Sequence, residues 1–148
     1  MFIAATSDRR RLLDVGALHG IFSLVFAVND SSRQALAVDP SPAAFAKLHY
    51  NIHCNRAENV AAVECALSSE SRVLEMHYEW ERAVAGRRNG EAPLRVETAR
   101  ADDVVEAYSF EPDVVKVDVE GHELRSSRDY AKHFAGTGRC FSTKCIQS

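Results

Sequence analysis

Three clusters of residues have the types and spacing to do chemistry. The first is Leu13-Asp14-Val15-Gly16-Ala17-Leu18-His19-Gly20, an apolar run that ends in a turn bounded by glycines. Glycine lets the backbone approach a ligand closely, and a helix opening there presents free N–H groups. The second is Asp39, which ends the short apolar run 35–38. It falls a little over ~20 residues past the first glycine, where an acid in a strand–turn–helix fold accepts hydrogen bonds from both hydroxyls of a ribose. The third is Lys116-Val117-Asp118-Val119-Glu120-Gly121-His122-Glu123. A strand covered on both faces should be apolar throughout, and Lys116 and Asp118 break that pattern on one face. Buried charge is costly unless it is paired or faces a polar cavity. Asp118 and Glu120 also fall at the carboxyl end of the strand, where open α/β sheets place their active sites.

Each cluster has a plainer reading. The glycines could make only a tight strand–helix turn. Asp39-Pro40-Ser41-Pro42 could be a solvated turn, and Lys116 and Asp118 a structural ion pair. Occurrence of the first two together favours a ligand site. A dinucleotide fingerprint would need glycine two places after Gly16, and Leu18 stands there, which argues against a nicotinamide cofactor. His49 and His53 lie four apart beside Cys54, but no third ligand has a defined spacing, so no metal site is expected. His19 and His122 flank the pocket and read as wall residues rather than bases. Cys54, Cys65, Cys140 and Cys145 fit no zinc spacing. The first two read as reduced core residues, and the other two as incidental to a polar tail.

The elements that must position these residues follow from hydrophobic patterning. Residues 12–15, 35–38, 60–63 and 114–119 are short apolar runs that suit buried parallel strands, the third continuing through residues 65–67. On the last of these, Val115, Val117 and Val119 take one face and Lys116, Asp118 and Glu120 the other. Residues 21–28 are nearly all apolar and read as a helix packed deep against a sheet. Ser41-Pro42 supplies an N-cap and a first-turn proline, and Phe45, Leu48 and Ile52 follow at helical spacing. From Val73 and again from Leu94, apolar and polar residues alternate, predicting an antiparallel hairpin with a long polar loop that holds Arg87-Arg88-Asn89-Gly90. Residues 102–108 form a short helix with acids in its first turn. The whole is an α/β chain with a mostly parallel sheet and an inserted antiparallel hairpin. A helix is expected from Glu123 to near Phe134, and no further strand after it.

A length of 148 residues makes a single domain, long enough to bury about two-thirds of its unfolded surface. A formal charge of −3, with the charges interspersed, argues against nucleic acid as a partner. No apolar run approaches the ~20 residues of a membrane span, and residues 2–5 are too few for a signal-peptide core. The default location is therefore cytoplasmic.

Taken together, the motifs resemble the FkbM family of S-adenosylmethionine-dependent methyltransferases. The matching pieces are Leu13 to Ala17 with Gly20, Ala37-Val38-Asp39-Pro40, Ala66-Leu67-Ser68, Asp102-Asp103-Val104, and Val115 to Gly121 with Glu123. They occur in family order over residues 12–123, and the last is the most specific. The resemblance implies a Rossmann-like class I methyltransferase fold and transfer of a methyl group to a hydroxyl of a sugar or secondary metabolite. It also implies that Asp14, Gly16, Ala17, Gly20, Asp39, Pro40, Ala66, Leu67 and Asp118 hold S-adenosyl-L-methionine. Asp118 and Glu120 are the candidate catalytic carboxylates, supported by Glu123, to accept a proton or bind a divalent ion.

Three departures stand out. Leu18 replaces the usual asparagine, which would remove a polar contact near the cofactor. Asp39 replaces the commoner glutamate. The tail 124–148 lacks the family's continuing strands and looks truncated or frame-shifted. On that reading the strand at 114–119 keeps an open edge that invites self-association. An inactive remnant that keeps only the fold or cofactor binding is the alternative function.

Overall fold

The computed structural model describes residues 6–79, 82–85, 93–119 and 139–142. Its main sheet is built from β1 (Arg11–Val15), β2 (Gln34–Val38), β3 (Val60–Val63), β8 (Val114–Val117) and β9 (Arg139–Ser142), in the order β3-β2-β1-β8-β9. All four pairings are parallel. A second sheet holds β4 (Ala66–Ser68), β5 (Val73–Glu79), β6 (Arg82–Ala85) and β7 (Leu94–Arg100), in the order β4-β7-β5-β6. The helices are α1 (Ile21–Ala27), α2 (Pro42–Cys54) and α3 (Ala101–Ala107). This is the expected α/β fold with a mostly parallel sheet.

The two-residue period of a strand sorts side chains between two cores. Leu13, Val15, Leu36, Val38, Val115 and Val117 meet Cys65, Leu67, Ala101 and Val104 on one face. Leu12, Ala35, Ala37 and Val114 meet Phe26, Ala27 and Leu48 of α1 and α2 on the other. Burial of each large aliphatic side chain contributes about 1.5–3 kcal/mol. Asp14 is in register with Lys116, and by alternation both take the helix-covered face. Helix α2 begins as its sequence indicates: Ser41 Oγ accepts from Ala44 N at 3.3 Å and Pro42 opens the first turn.

Several expectations need correction. The tail does supply a strand: β9 runs parallel to β8 and covers the edge that was expected to stay open. Self-association through that edge thereby loses its physical basis. The run 60–67 is two strands in different sheets, since Asp39 N caps the end of β3 by donating to Val63 O at 3.1 Å and the chain then turns away. The expected hairpin is the antiparallel pair β5–β7, but its connection contributes β6, which pairs with the other edge of β5. The strand at 114 stops at Val117 rather than Val119. Helix α1 is buried only along Ser23, Phe26 and Ala27, with Ile21 and Val25 exposed. Cys54 is exposed at the end of α2, whereas Cys65 is buried and both are free. The loop 87–90, the helix expected after Glu123, His122 and Cys145 lie outside the described residues.

Candidate active site

Strand register builds the site. Val15 pairs with both Val38 and Val117, so the residues that follow, Gly16, Asp39 and Asp118, emerge side by side at the carboxyl ends of β1, β2 and β8. The chain order reverses here: β2 and β3 lie to one side of β1, and β8 to the other. Open α/β sheets bind ligands in the crevice at such a switch point.

The turn between β1 and α1 is fixed by backbone hydrogen bonds. Gly16 N and Ala17 N both donate to Val38 O, at 2.9 and 3.1 Å, and Gly20 N donates to Ala17 O at 2.8 Å. Gly16 has φ +72°, and a Cβ there would lie 2.1 Å from the backbone oxygen of Asp118. Gly20 has φ +81° and is pressed against Leu48.

Leu18 also occupies the left-handed region, with φ 52°. That conformation costs an ordinary L-residue about 1–2 kcal/mol, and asparagine tolerates it best after glycine. At this position the choice of residue is therefore a backbone matter. Leu18→Asn is expected to stabilise the unliganded protein by about 1 kcal/mol. Urea denaturation measures it, and a destabilised variant would show that Leu18 packing outweighs the strain.

Asp39 locks the turn to the end of β2. Its Oδ2 accepts from Leu18 N at 2.7 Å and its Oδ1 from Ser41 N at 2.9 Å. The residue is 5% exposed. Burial pushes its carboxyl above the usual range, against the opposing pull of the Ser41 and Leu18 N–H groups and the Lys116 charge. Each carboxylate oxygen keeps a further lone pair for a ligand donor.

These groups surround a cavity of about 180 Å³. Residues Gly16, Ala17, Leu18 and His19 form one wall, with Ile21 and Phe22 from α1 beside them. Asp39 and Pro40 form a second wall, and Lys116, Asp118 and Val119 a third. Val38, Cys65, Ala66, Leu67 and Met76 add a mostly apolar part of the lining. Burial pushes the Cys65 thiol up to about 11, with Glu97 adding to the effect, so it stays a protonated wall residue at neutral pH.

Seven of the expected cofactor contacts, Gly16, Ala17, Asp39, Pro40, Ala66, Leu67 and Asp118, lie in this wall. Asp14 and Gly20 do not. Asp14 is fully buried behind it, accepting from Ser23 Oγ at 2.7 Å and paired with Lys116 Nζ at 2.9 Å. Gly20 caps α1. Glu120 and Glu123 lie outside the described residues. His49 and His53 are exposed on α2, and no group of three metal-binding side chains occurs among the described residues.

Sequence reasoning missed Met76 and Phe22 as wall residues. Met76 stands on the inserted sheet, and no local pattern says that this sheet contributes to the cavity.

The methyltransferase FkbM domain matches residues 14–125, well over half of the chain. The chain belongs to the FkbM methyltransferase family. A fold relative is the Podospora anserina methyltransferase PaMTH1, in its SAH-bound crystal structure. It superposes with a TM-score of 0.58 at 13% identity, over 96% of this chain and 50% of that one. The chain therefore spans about half the length of that methyltransferase, and at such low identity the likeness concerns the fold alone. No curated protein matches the chain. The FkbM match runs from Asp14 through the motif that follows β8, so it includes every residue that lines the cavity.

Proposed function

We propose that this FkbM domain binds S-adenosyl-L-methionine in the cavity at the ends of β1, β2 and β8 and methylates a hydroxyl of a small molecule, such as a sugar or secondary metabolite. The observation that carries the reading is the convergence of Gly16, Asp39 and Asp118 on one cavity through strand register. The cavity fits such a cofactor in two respects. Gly16 lines it without a side chain, so its backbone is open to the ligand, and Asp39 supplies lone pairs for a diol while Val38, Leu67 and Met76 supply an apolar lining. The SAH bound by the Podospora methyltransferase supports the same class of ligand.

When bound, the cofactor supplies a methyl group already activated on a sulfonium. The protein's task is then to hold an acceptor oxygen in line and keep water out. Asp39 would accept from the ribose hydroxyls. Asp118, half-buried on the rim, would take the acceptor's proton, with Glu120 and Glu123 following it in the chain as supporting carboxylates.

Asp39→Ala should weaken S-adenosylhomocysteine binding by about 1.5–3 kcal/mol, the worth of hydrogen bonds to a charged group. Affinity of the unsubstituted protein should also fall with pH. Diol donors favour the carboxylate, and the free Asp39 carboxyl is raised, so protonation competes with the ligand from above the ordinary carboxylate range downward. Calorimetry reads both effects. Equal affinity in Asp39→Ala and the unsubstituted protein would remove Asp39 from the site.

A further inference from the structure

Lys116 is 1% exposed, among the most buried side chains described, and its ammonium is shared among three elements. Nζ lies 2.9 Å from Asp14 Oδ1 on β1 and donates to Gly16 O at 2.9 Å in the turn. It also sits 4.9 Å from the centroid of the Phe22 ring on α1, within cation–π range. Asp14 is held in turn by Ser23 Oγ, one helical turn from the glycine turn. A structural ion pair would need only the Asp14 contact. The bond to Gly16 O fixes the orientation of the peptide whose backbone faces the cavity, and Phe22 is itself a cavity wall.

We propose that Lys116 is a positioning residue for the ligand turn: its ammonium clamps the Gly16 carbonyl and the Phe22 ring, so that residues 16–20 are held in the ligand-receiving conformation before the ligand arrives. The inference rests on the proposed function for the identity of that ligand, but the clamp itself is a property of the unliganded protein. Preorganisation of this kind raises affinity by removing the cost of ordering the turn on binding.

The test separates the clamp from the charge pair. Asp14→Asn keeps the ammonium on Gly16 O and serves as reference. Asp14→Asn with Lys116→Met removes both charges and the clamp. Asp14→Leu with Lys116→Met does the same with an apolar pair, should the amide variant fail to fold. Two readouts are taken: calorimetric affinity for S-adenosylhomocysteine, and amide exchange of Ala17, Leu18 and Gly20 relative to the β2 amides without ligand. Relative to the reference, the double variant should bind about tenfold more weakly, the loss expected for one charge-assisted hydrogen bond. Its turn amides should also exchange faster while those of β2 do not. A double variant equal to the reference in turn exchange and affinity would reduce Lys116 to a structural partner of Asp14. If the unsubstituted protein does not bind S-adenosylhomocysteine, the proposed function falls, and the exchange comparison still decides the role of Lys116.

Discussion

Gly16→Ala is expected to destabilise the protein by about 3–5 kcal/mol, from overpacking and left-handed backbone strain combined. The added Cβ would lie 2.1 Å from Asp118 O and 2.9 Å from Asp118 C, both backbone atoms. The strands are tied together at this point, Asp118 N donating to Val15 O at 2.9 Å and Gly16 N to Val38 O. Relief would require β1 and β8 to part where the cavity opens, so ligand binding should be lost with stability. Gly20→Ala makes a useful comparison. Its Cβ would meet Leu48 Cδ1 at 2.3 Å, a side-chain atom, so the larger loss should belong to Gly16. Chemical denaturation of the two variants checks the order, and a Gly16→Ala protein as stable as the parent would refute the packing described at the end of β8.

Lys116→Met as a single change should cost about 3–5 kcal/mol, because it leaves the fully enclosed Asp14 carboxylate with Ser23 Oγ as its remaining described partner. The converse change, Asp14→Asn, should cost less. The ammonium would keep Gly16 O and the Phe22 ring, and the amide oxygen still accepts. Guanidinium denaturation gives both values. A Lys116→Met loss within about 1 kcal/mol, the centre of ordinary substitutions, would mean that the Asp14 carboxyl does not depend on the Lys116 ammonium.

The parts of the fold that could be read in advance are those whose signal is local. The glycine turn, the Ser41-Pro42 start of α2 and the apolar runs of β1, β2 and β8 each carry their own residue pattern, and the parallel register then brings Gly16, Asp39 and Asp118 together. Non-local features were harder. β9 is Arg-Cys-Phe-Ser, with too short an alternation to stand out, and it becomes a strand by pairing with β8. β6 is hidden in the same way within a loop that is otherwise polar. Asp14 lies one residue before the strand end that lines the cavity and is enclosed beneath Lys116 and Ser23, and only the three-dimensional register reveals Lys116 as its partner.

The ligand that the cavity at the ends of β1, β2 and β8 receives decides the function. Parallel calorimetric titrations of the unsubstituted protein with S-adenosylhomocysteine and with NADH test it most directly. Saturable one-to-one binding of S-adenosylhomocysteine, weakened by Asp39→Ala, with no heat from NADH, is the predicted result. Saturable NADH binding at micromolar concentration, with none of S-adenosylhomocysteine, would contradict it and return the glycine turn to a nucleotide of another class.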